Sequence, residues 1–361
     1  LGDGHFTMGV ATGDYDNDGD QDLFVTNYGP DQLYRNKGDG TFENVTGPAG
    51  IDIPGWSVGA VFTDVDRDGF LDLFVAEYVE YETSRQCSTP SGIPDWCSPS
   101  AFRDVPDVLL HNDGDGTFTD VSEKAGIRAA LGSSLGAISD DFDGDGWPDI
   151  LVANDGDPNT LWHNNGNGTF TDAAVRWGAA VSAMGEPEAG MGIVSDDLNA
   201  DGAIDLVITH LVSEKTTYYR SLGPAAGFLD DSFAAGIGGP SRMMTGFGIA
   251  ASDFDLDGDL DLLVANGRVR RGQAIVPGAV PAPPFDELAE PKLAYVNDGT
   301  GHFAVLDDAT CGGCGLVDIG RGLVPGDIDG DGDQDFVILD LAGPARLFEN
   351  RAPRHGKWLT V

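Results

Sequence analysis

Six copies of a nine-residue acidic segment constrain the fold of this 361-residue chain more than any other feature. Their offsets are 50, 77, 56, 56 and 74 residues, and repeats of this period are typical of solenoids, propellers and other arrays. We therefore interpret the chain as one repeat array. The copies are DYDNDGDQD, DVDRDGFLD, DFDGDGWPD, DLNADGAID, DFDLDGDLD and DIDGDGDQD, beginning at Asp14, Asp64, Asp141, Asp197, Asp253 and Asp327.

Strand patterns flank each acidic segment. A short apolar run follows every copy, from LFVTN to FVILD, and favours a strand buried on both faces. A Gly-rich turn between two further strands follows in LYRNKGDGTF, LLHNDGDGTF, LWHNNGNGTF and AYVNDGTGHF. Four short antiparallel strands per repeat predict an all-β β-propeller, with six four-stranded blades readable in residues 1–356. Residues 357–361, KWLTV, are a final strand or the start of a following module.

Each acidic segment has the ligand pattern of a calcium loop. Carboxylates stand mainly at positions 1, 3, 5 and 9, glycine stands at position 6, and the main-chain carbonyl of position 7 adds an oxygen. Calcium takes six to eight oxygen ligands, which alternate residues of a tight loop can supply. We therefore predict up to six structural Ca²⁺ ions. The predicted ligands are Asp14, Asp16, Asp18, Asp20, Asp22, Asp64, Asp66, Asp68, Phe70, Asp72, Asp141, Asp143, Asp145, Trp147, Asp149, Asp197, Asn199, Asp201, Ala203, Asp205, Asp253, Asp255, Asp257, Asp259, Asp261, Asp327, Asp329, Asp331, Asp333 and Asp335.

Three other interpretations of these loops fit the sequence less well. An EF-hand requires an acidic residue at position 12, where all six copies have Val or Ile, beginning with Val25. Metal-free Asp-Gly turns are common, but clustered acids in six copies repel one another unless a cation is bound. Catalysis by paired carboxylates belongs in one cleft, whereas six equivalent copies indicate architecture. The fourth loop, with Asn199 in place of an acid, should bind calcium most weakly.

Composition narrows the class of partner. The chain has 60 Asp and Glu against 20 Lys and Arg, a formal charge of -40, yet 41% of its residues are hydrophobic. It is therefore too apolar for a disordered acidic tail, and its charge disfavours nucleic acid and anionic membranes as partners. No apolar run is long enough to span a bilayer, so no membrane insertion is predicted. The start at Leu1, without a signal-like segment, is expected of a processed or cropped product.

Two repeats have a long connection between their second and third strands, at about residues 78–106 and 267–292. Because strands alternate in direction, both insertions should rise on the face opposite the acidic loops, with a cleft between them. We expect a protein or glycan partner on this face. The first insertion contains Tyr78, Tyr81, Trp96 and Phe102, and the second contains Arg268, Arg270 and Arg271 before a Pro-rich stretch.

The four cysteines favour two short disulfides. Cys87 and Cys97 would staple the first insertion, and Cys311 and Cys314, in CGGC, would form a small structural bridge. A redox or metal role for CGGC, and other pairings, are the alternatives. Disulfides predict an extracellular, cell-surface or periplasmic location.

Long stretches of the chain resemble a known family. GVATGDYDNDGDQDLFVTNYG, CSTPSGIPDWCSPSAFRDVPDVLLHNDGDGTFTDV and EAGMGIVSDDL are similar to the FG-GAP/VCBS repeats of the bacterial members of the cartilage acidic protein family. The closing ENRAPRHGKWLTV resembles the first strand of the ASPIC/UnbV module that follows the propeller in that family. The resemblance implies a secreted, seven-bladed, calcium-containing propeller with a binding or adhesive role. The family's first blade and nearly all of its terminal module have no counterpart here.

We therefore expect a non-catalytic binding, adhesion or assembly module in which calcium is structural. One alternative is a lyase-like propeller enzyme that acts on polysaccharide in the cleft between the insertions. Another is a structural subunit of a larger extracellular assembly. The sequence shows no nucleophile elbow, P-loop or dinucleotide fingerprint, which favours the non-enzymatic hypothesis.

Overall fold

A computed structural model describes residues 5–88, 92–224, 226–270 and 285–351. In these ranges six antiparallel β-sheets follow one another along the chain, one for each acidic segment. Five of these sheets have four strands and the sixth has three. The predicted all-β propeller fold is confirmed, and we number its blades 1 to 6 in chain order.

Blades 1 to 3 belong to one compact unit, formed by Leu1–Gly190 and Pro224–Gly227. Blade 1 consists of β1 (Phe6–Gly13), β2 (Asp22–Tyr28), β3 (Gln32–Asn36) and β4 (Phe42–Asn44). Blade 2 and its insertion contain β5 (Ser57–Thr63), β6 (Asp72–Glu77), β7 (Val79–Glu80), β8 (Cys87–Ser88), β9 (Pro94–Asp95), β10 (Arg103–Asp104), β11 (Val108–Asn112) and β12 (Phe118–Asp120). Blade 3 consists of β13 (Ser134–Asp140), β14 (Asp149–Asn154), β15 (Thr160–Asn164) and β16 (Phe170–Asp172).

Blades 4 to 6 belong to a second compact unit, formed by Met191–Gly223 and Phe228–Val361. Blade 4 consists of β17 (Ile193–Asp196), β18 (Asp205–Ile208), β19 (Thr217–Ser221) and β20 (Phe228–Asp230). Blade 5 consists of β21 (Gly246–Ser252), β22 (Asp261–Asn266), β24 (Leu293–Asn297) and β25 (Phe303–Val305), and beside it β23 (Glu290–Pro291) pairs with β26 (Val317–Asp318). Blade 6 consists of β27 (Gly320–Gly326), β28 (Asp335–Asp340) and β29 (Arg346–Phe348).

Short helical turns follow the fourth strand of blades 2 to 5. These four-residue helices are α1 (Ser122–Ala125), α2 (Ala174–Trp177), α3 (Gly238–Ser241) and α4 (Asp308–Cys311). Single 3-10 turns occupy Pro99–Ala101 and Ile127–Ala129. No helix in the described ranges is both long enough and apolar enough to cross a membrane.

The second strand of each blade is buried more fully than its neighbours, and every residue of β6, β14 and β22 is buried. These strands pack on both faces. Phe24 of blade 1 shares a core with Leu73 of blade 2, and Phe74 of blade 2 shares another with Ile150 of blade 3. Each such side chain contributes about 1.5–3 kcal/mol on full burial. Burial on both faces explains why these runs are uniformly apolar rather than alternating.

A glycine recurs in the first strand of each blade or directly before it, five residues before each acidic segment. A Cβ on Gly59 would lie 3.1 Å from the carbonyl oxygen of Leu135 in blade 3, and a Cβ on Gly248 would lie 2.6 Å from the amide nitrogen of Leu323 in blade 6. Within each unit, first strands of neighbouring blades therefore approach too closely for a side chain at this position.

Both predicted disulfides are confirmed, with Cα–Cα distances of 5.1 Å for Cys87–Cys97 and 5.7 Å for Cys311–Cys314. The first insertion leaves the end of β6 that is opposite its acidic loop, as predicted. In this insertion β7 pairs with β10 and β8 pairs with β9. Arg271 and most of the Pro-rich stretch of the second insertion lie outside the described residues, as does the predicted strand 357–361.

Candidate metal sites

Each acidic loop is closed by the carboxylate at position 1. In blade 1, Asp14 Oδ1 accepts a hydrogen bond from the Asp18 amide at 3.0 Å, and Asp14 Oδ2 accepts one from the Gly19 amide at 2.9 Å. The position-1 carboxylates of the other five loops accept the same two bonds at 2.8–3.1 Å, namely Asp64, Asp141, Asp197, Asp253 and Asp327. The position-1 side chain is therefore part of the loop frame as well as a candidate ligand.

The frame continues through positions 5 to 7. Asp18 Oδ1 accepts the amide of Asp20 at 3.0 Å, and the corresponding bond is present in all six loops. The glycine at position 6 has a positive φ in every copy, between 87° and 104°, which a side chain would strain. The prediction that glycine makes this turn is confirmed.

The carboxylate at position 9 is buried at the base of each loop. Asp22 Oδ1 accepts the amide of Asn36 in the third strand at 2.7 Å, and all six blades have this bond. Burial raises the pKa of Asp22 and Asp72 to about 6 and that of Asp149 and Asp261 to about 7, because it removes water from the charged form. A bound cation would supply the missing positive charge.

Carboxylate oxygens converge in several loops. One oxygen from each of Asp14, Asp16 and Asp18 lies within 4.8 Å of the others, and blade 3 brings Asp141, Asp143 and Asp145 together in the same way. In blade 2 the group is Asp64, Asp66 and Asp72. Asp16 Oδ1 and Asp149 Oδ2 are buried and have no hydrogen-bond partner within the described ranges. Such oxygens fit a hard cation, because a buried carboxylate oxygen without a donor is costly.

Two histidines also face these loops. His111 Nδ1 lies 2.9 Å from Asp72 Oδ1, and His163 Nδ1 lies 3.2 Å from Asp149 Oδ1. Their equivalent positions in the third strand favour the interpretation that they are part of the repeat rather than of a site, and the structure places both beside loop carboxylates. The sequence signal for this contact is the place of the two histidines in the third strand. Each directly precedes the asparagine whose amide donates to the position-9 carboxylate of the same blade.

Comparison with known proteins agrees with this geometry. The FG-GAP-like repeat family matches residues 2–75 and 141–208. Mouse cartilage acidic protein 1 is 28% identical over 279 residues, which are 72% of this chain and 39% of the mouse protein. The human protein is 27% identical over 273 residues, which are 71% of this chain and 37% of the human protein. The chain thus contains FG-GAP-like repeats and is similar to cartilage acidic protein 1 over about 70% of its length.

This FG-GAP repeat chain thus spans less than half of the length of the curated relatives it matches. Among solved structures, a lectin from Agrocybe aegerita aligns with a TM-score of 0.47 and 15% identity, over 96% of this chain and 80% of the lectin chain.

An asparagine latch between consecutive blades was not foreseen from the sequence. Asn112 Nδ2, in blade 2, donates to the main-chain carbonyl of Tyr15 in the acidic loop of blade 1 at 2.8 Å. Asn164 donates to the Val65 carbonyl in the same way. In the second unit the corresponding bonds are Asn297 to Leu198 and Asn350 to Phe254. Each latch ties position 2 of one acidic loop to the third strand of the next blade.

At the opposite end of blades 1 and 2, buried carboxylates are satisfied within the protein. Ser57 Oγ lies 2.6 Å from Asp31 Oδ2 and also hydrogen-bonds Glu77 Oε1. Because a hydroxyl has one hydrogen to donate, one of these two carboxyl groups must hold a proton and donate to Ser57. Burial raises the pKa of both, that of Asp31 to about 7. Asp107 Oδ1 accepts the Glu77 amide at 3.0 Å, and burial raises its pKa to about 7 as well.

An aromatic cluster anchors the first insertion at this same end. Trp56 lies 5.4 Å from Tyr28 and 5.0 Å from Tyr81 between ring centroids, and Tyr81 lies 4.9 Å from Phe102. Tyr81 is 40% exposed, and Trp96, in the disulfide-bonded part of the insertion, is 76% exposed. The insertion is therefore docked on blades 1 and 2 while presenting aromatic surface to solvent.

Proposed function

We propose that this FG-GAP repeat protein binds calcium in its acidic loops and acts outside the cytoplasm as a non-catalytic binding module. The observation that carries the proposal is the common loop frame. All six loops hold the carboxylates of positions 1, 5 and 9 with the same amide hydrogen bonds. A frame that is kept in six copies, with buried carboxylate oxygens left over, supports one ion in each loop.

The donor set favours calcium. The side chains of positions 1, 3, 5 and 9 and the carbonyl of position 7 are oxygen donors, as a hard cation prefers. The formal charge of -40 further favours cations over anions as ligands. When bound, the ion would neutralise the mutual repulsion of the loop carboxylates and hold the hairpin between the first and second strands of the blade.

Calcium in one loop would also stabilise the next blade. The latch asparagine donates to a carbonyl at position 2 of the preceding loop, next to a predicted ligand. Ordering the loop therefore orders the acceptor of an interblade hydrogen bond. On this basis we expect calcium to strengthen the joints between blades as well as the loops themselves.

Chelation tests this part of the proposal. The full chain should contain about six calcium ions by metal analysis, and removal of calcium should lower the melting temperature. A ligand that binds only the folded state at about 100 times its dissociation constant adds about 2.7 kcal/mol per site. Magnesium at the same concentration, as the control, should restore much less stability because it dehydrates reluctantly. An unchanged melt together with no bound calcium would refute calcium binding.

The disulfide-bonded insertion of blade 2 is the proposed contact surface for a protein or glycan partner. Its exposed aromatic residues, Trp96 and Tyr81, offer the large, amphipathic contact area that is enriched at binding sites. The Cys87–Cys97 bridge and the packing of Tyr81 on Trp56 hold this surface before binding, which reduces the entropy lost on association.

Substitution of one exposed aromatic residue tests this surface. Trp96→Ala should weaken binding to immobilised glycans or to a candidate protein partner by about tenfold or more, since buried aromatic anchors typically contribute over 1 kcal/mol. Met184→Ala is the matched control, because Met184 is also highly exposed but lies outside the insertion. Equal binding by both variants and the unmodified chain would place the partner elsewhere.

The non-catalytic role and the location complete the proposal. All four cysteines are paired, which supports an oxidising compartment such as the cell exterior or the periplasm. Incubation with a panel of acidic and neutral polysaccharides should yield no cleavage products. Product formation that Trp96→Ala abolishes would instead support a lyase-like enzyme, and a native mass several times 37.8 kDa would support an assembly subunit.

A further inference from the structure

The residue before the latch position differs among the six blades, and it decides what faces each acidic loop. This residue is an arginine in blades 1 and 4, a histidine in blades 2 and 3, a valine in blade 5 and a glutamate in blade 6. The six residues are Arg35, His111, His163, Arg220, Val296 and Glu349. Blades 2 and 3 alone among the six therefore place an imidazole at this position.

Blade 3 shows the most complete arrangement. His163 Nδ1 lies 3.2 Å from Asp149 Oδ1 and 3.5 Å from Asp143 Oδ2. One ligand atom from each of these three residues lies within 4.8 Å of the other two. Asp149 is fully buried, and its second oxygen has no hydrogen-bond partner in the described part of the chain. The His163 ring packs edge-on against Trp177, with centroids 5.2 Å apart, so its position is fixed before any ion arrives.

Blade 2 repeats this arrangement. His111 Nδ1 lies 2.9 Å from Asp72 Oδ1 and 3.7 Å from Asp66 Oδ2. Ligand atoms of Asp66, Asp68 and His111 lie within 4.8 Å of one another. Both blades thus bring an imidazole nitrogen and two carboxylates to a common point.

We propose that the loops of blades 2 and 3 each bind a divalent transition-metal ion of the zinc class through one histidine nitrogen and two carboxylates. Calcium prefers oxygen donors only, whereas zinc gains from nitrogen, at about 2.0–2.1 Å, alongside carboxylate oxygen. To bind the ion, the imidazole presents the unprotonated Nδ1 lone pair and carries its proton on Nε2. The hydrogen bond to the position-9 carboxylate is then replaced by coordination of both groups to one ion.

The other loops lack this donor. In blades 1 and 4 the guanidinium groups of Arg35 and Arg220 are paired with Glu43 and Asp231, both at 2.9 Å, and arginine cannot ligate a metal. Val296 offers no donor at all. All six loops thus remain candidate calcium sites, but those of blades 2 and 3 should prefer a zinc-class ion when both metals are present. This inference rests on the proposed cation binding of the loops and adds a second class of ion to it.

Titration of the metal-free full chain with zinc chloride tests the proposal, with cobalt(II) chloride as an optical probe of nitrogen ligation. We expect two tight zinc equivalents in the unmodified chain and one in each of the single variants His111→Gln and His163→Gln. The double variant should have no tight equivalent, because its zinc affinity should fall by about tenfold to a hundredfold. Calcium uptake should be unchanged in all of these. His302→Gln is the matched control, since His302 lies in a Gly-rich turn and bonds Thr300.

A variant that adds a site distinguishes loss of a metal ligand from loss of folding. Val296→His should create a third zinc equivalent and strengthen the cobalt absorption. Zinc binding that survives in the double variant, or a cobalt spectrum that is the same with and without the two histidines, would overturn the proposal. The two proposals fail separately. Histidine-dependent zinc binding without calcium uptake would refute the calcium proposal alone, whereas calcium uptake with histidine-independent zinc binding would refute only this one.

Discussion

The two ends of the blades both bury carboxylates, but they stabilise them in different ways. At the acidic-loop end, the main-chain amide of Asn164 donates to Asp149, whose second oxygen has no donor among the described residues. At the opposite end, Ser57 bridges Asp31 and Glu77 within the protein. The same residue type thus lies in a proposed ion site at one end and in an internal hydrogen-bond network at the other. The number of nearby donors, rather than the number of acids, determines which role a buried carboxylate has.

Among the tests of this comparison, loss of an asparagine latch should change the free energy of unfolding most. Asn112→Ala removes a buried bond to the Tyr15 carbonyl and a partly buried bond to the Leu71 carbonyl, and the two unsatisfied acceptors should cost about 3 kcal/mol in unfolding free energy. Asn36→Ala is the matched control, because among the described residues its side chain donates to the exposed Gln21 carbonyl of its own blade and to no neighbouring blade, and it should cost about 1 kcal/mol. Urea denaturation of both variants measures the difference. Equal losses would show that the latch adds nothing to the joint between blades.

Neutralising one buried loop carboxylate should give an effect whose sign depends on calcium. Asp149→Asn removes a buried charge, so without calcium it should raise the unfolding free energy by about 1 kcal/mol. With calcium it should lower that energy by a similar or larger amount, because a ligand is lost. Asp31→Asn, at the opposite end, should change the unfolding free energy by the same amount with and without calcium. Thermal melts with calcium and with a chelator measure both effects. If Asp149→Asn changed the stability in the same direction under both conditions, the contrast between the two ends of the blades would be contradicted.

The smallest expected effect is a pH dependence of the end opposite the loops. Burial raises the pKa of Asp31 from 3.8 to about 7 in the folded protein, so its protonated form stabilises the fold. That contribution is complete below about pH 4 and is lost as the pH rises through 7. Asp31→Asn should therefore gain stability relative to the unmodified chain as the pH rises across this range, which urea denaturation at several pH values measures.

Blade 3 supplies the reverse experiment. Asn159 occupies the place that Asp31 has in blade 1, and its side chain donates to the Ala179 carbonyl at 3.0 Å. Asn159→Asp should lose stability as the pH rises, because an ionised carboxylate would face that carbonyl. Parallel pH profiles for the two variants and the unmodified chain would show that these positions do not titrate in this range.

Much of the molecule was predictable from the sequence because its key patterns are local. The acidic loops depend on side chains two to five residues apart, as the bonds from Asp18 and Gly19 to Asp14 show. The blade strands follow from apolar runs beside Gly-rich turns. The Cys87–Cys97 bridge joins residues only 10 apart. Patterns of this range appear in the sequence itself, so the fold and both disulfides were predicted correctly, while the candidate ligands stand as predictions.

The rest required the tertiary structure, because it joins residues that the sequence keeps far apart. The latches join Asn112 to Tyr15 and Asn164 to Val65 across 97 and 99 residues. The bridge from Ser57 to Asp31 and the histidines beside the loops likewise depend on how strands pair and how blades pack. By itself the sequence determined the repeat, the loop frame and the oxygen donors. Only the packing of blades within each unit decided which carboxylates are satisfied internally, which face an imidazole and which keep an oxygen without a donor among the described residues.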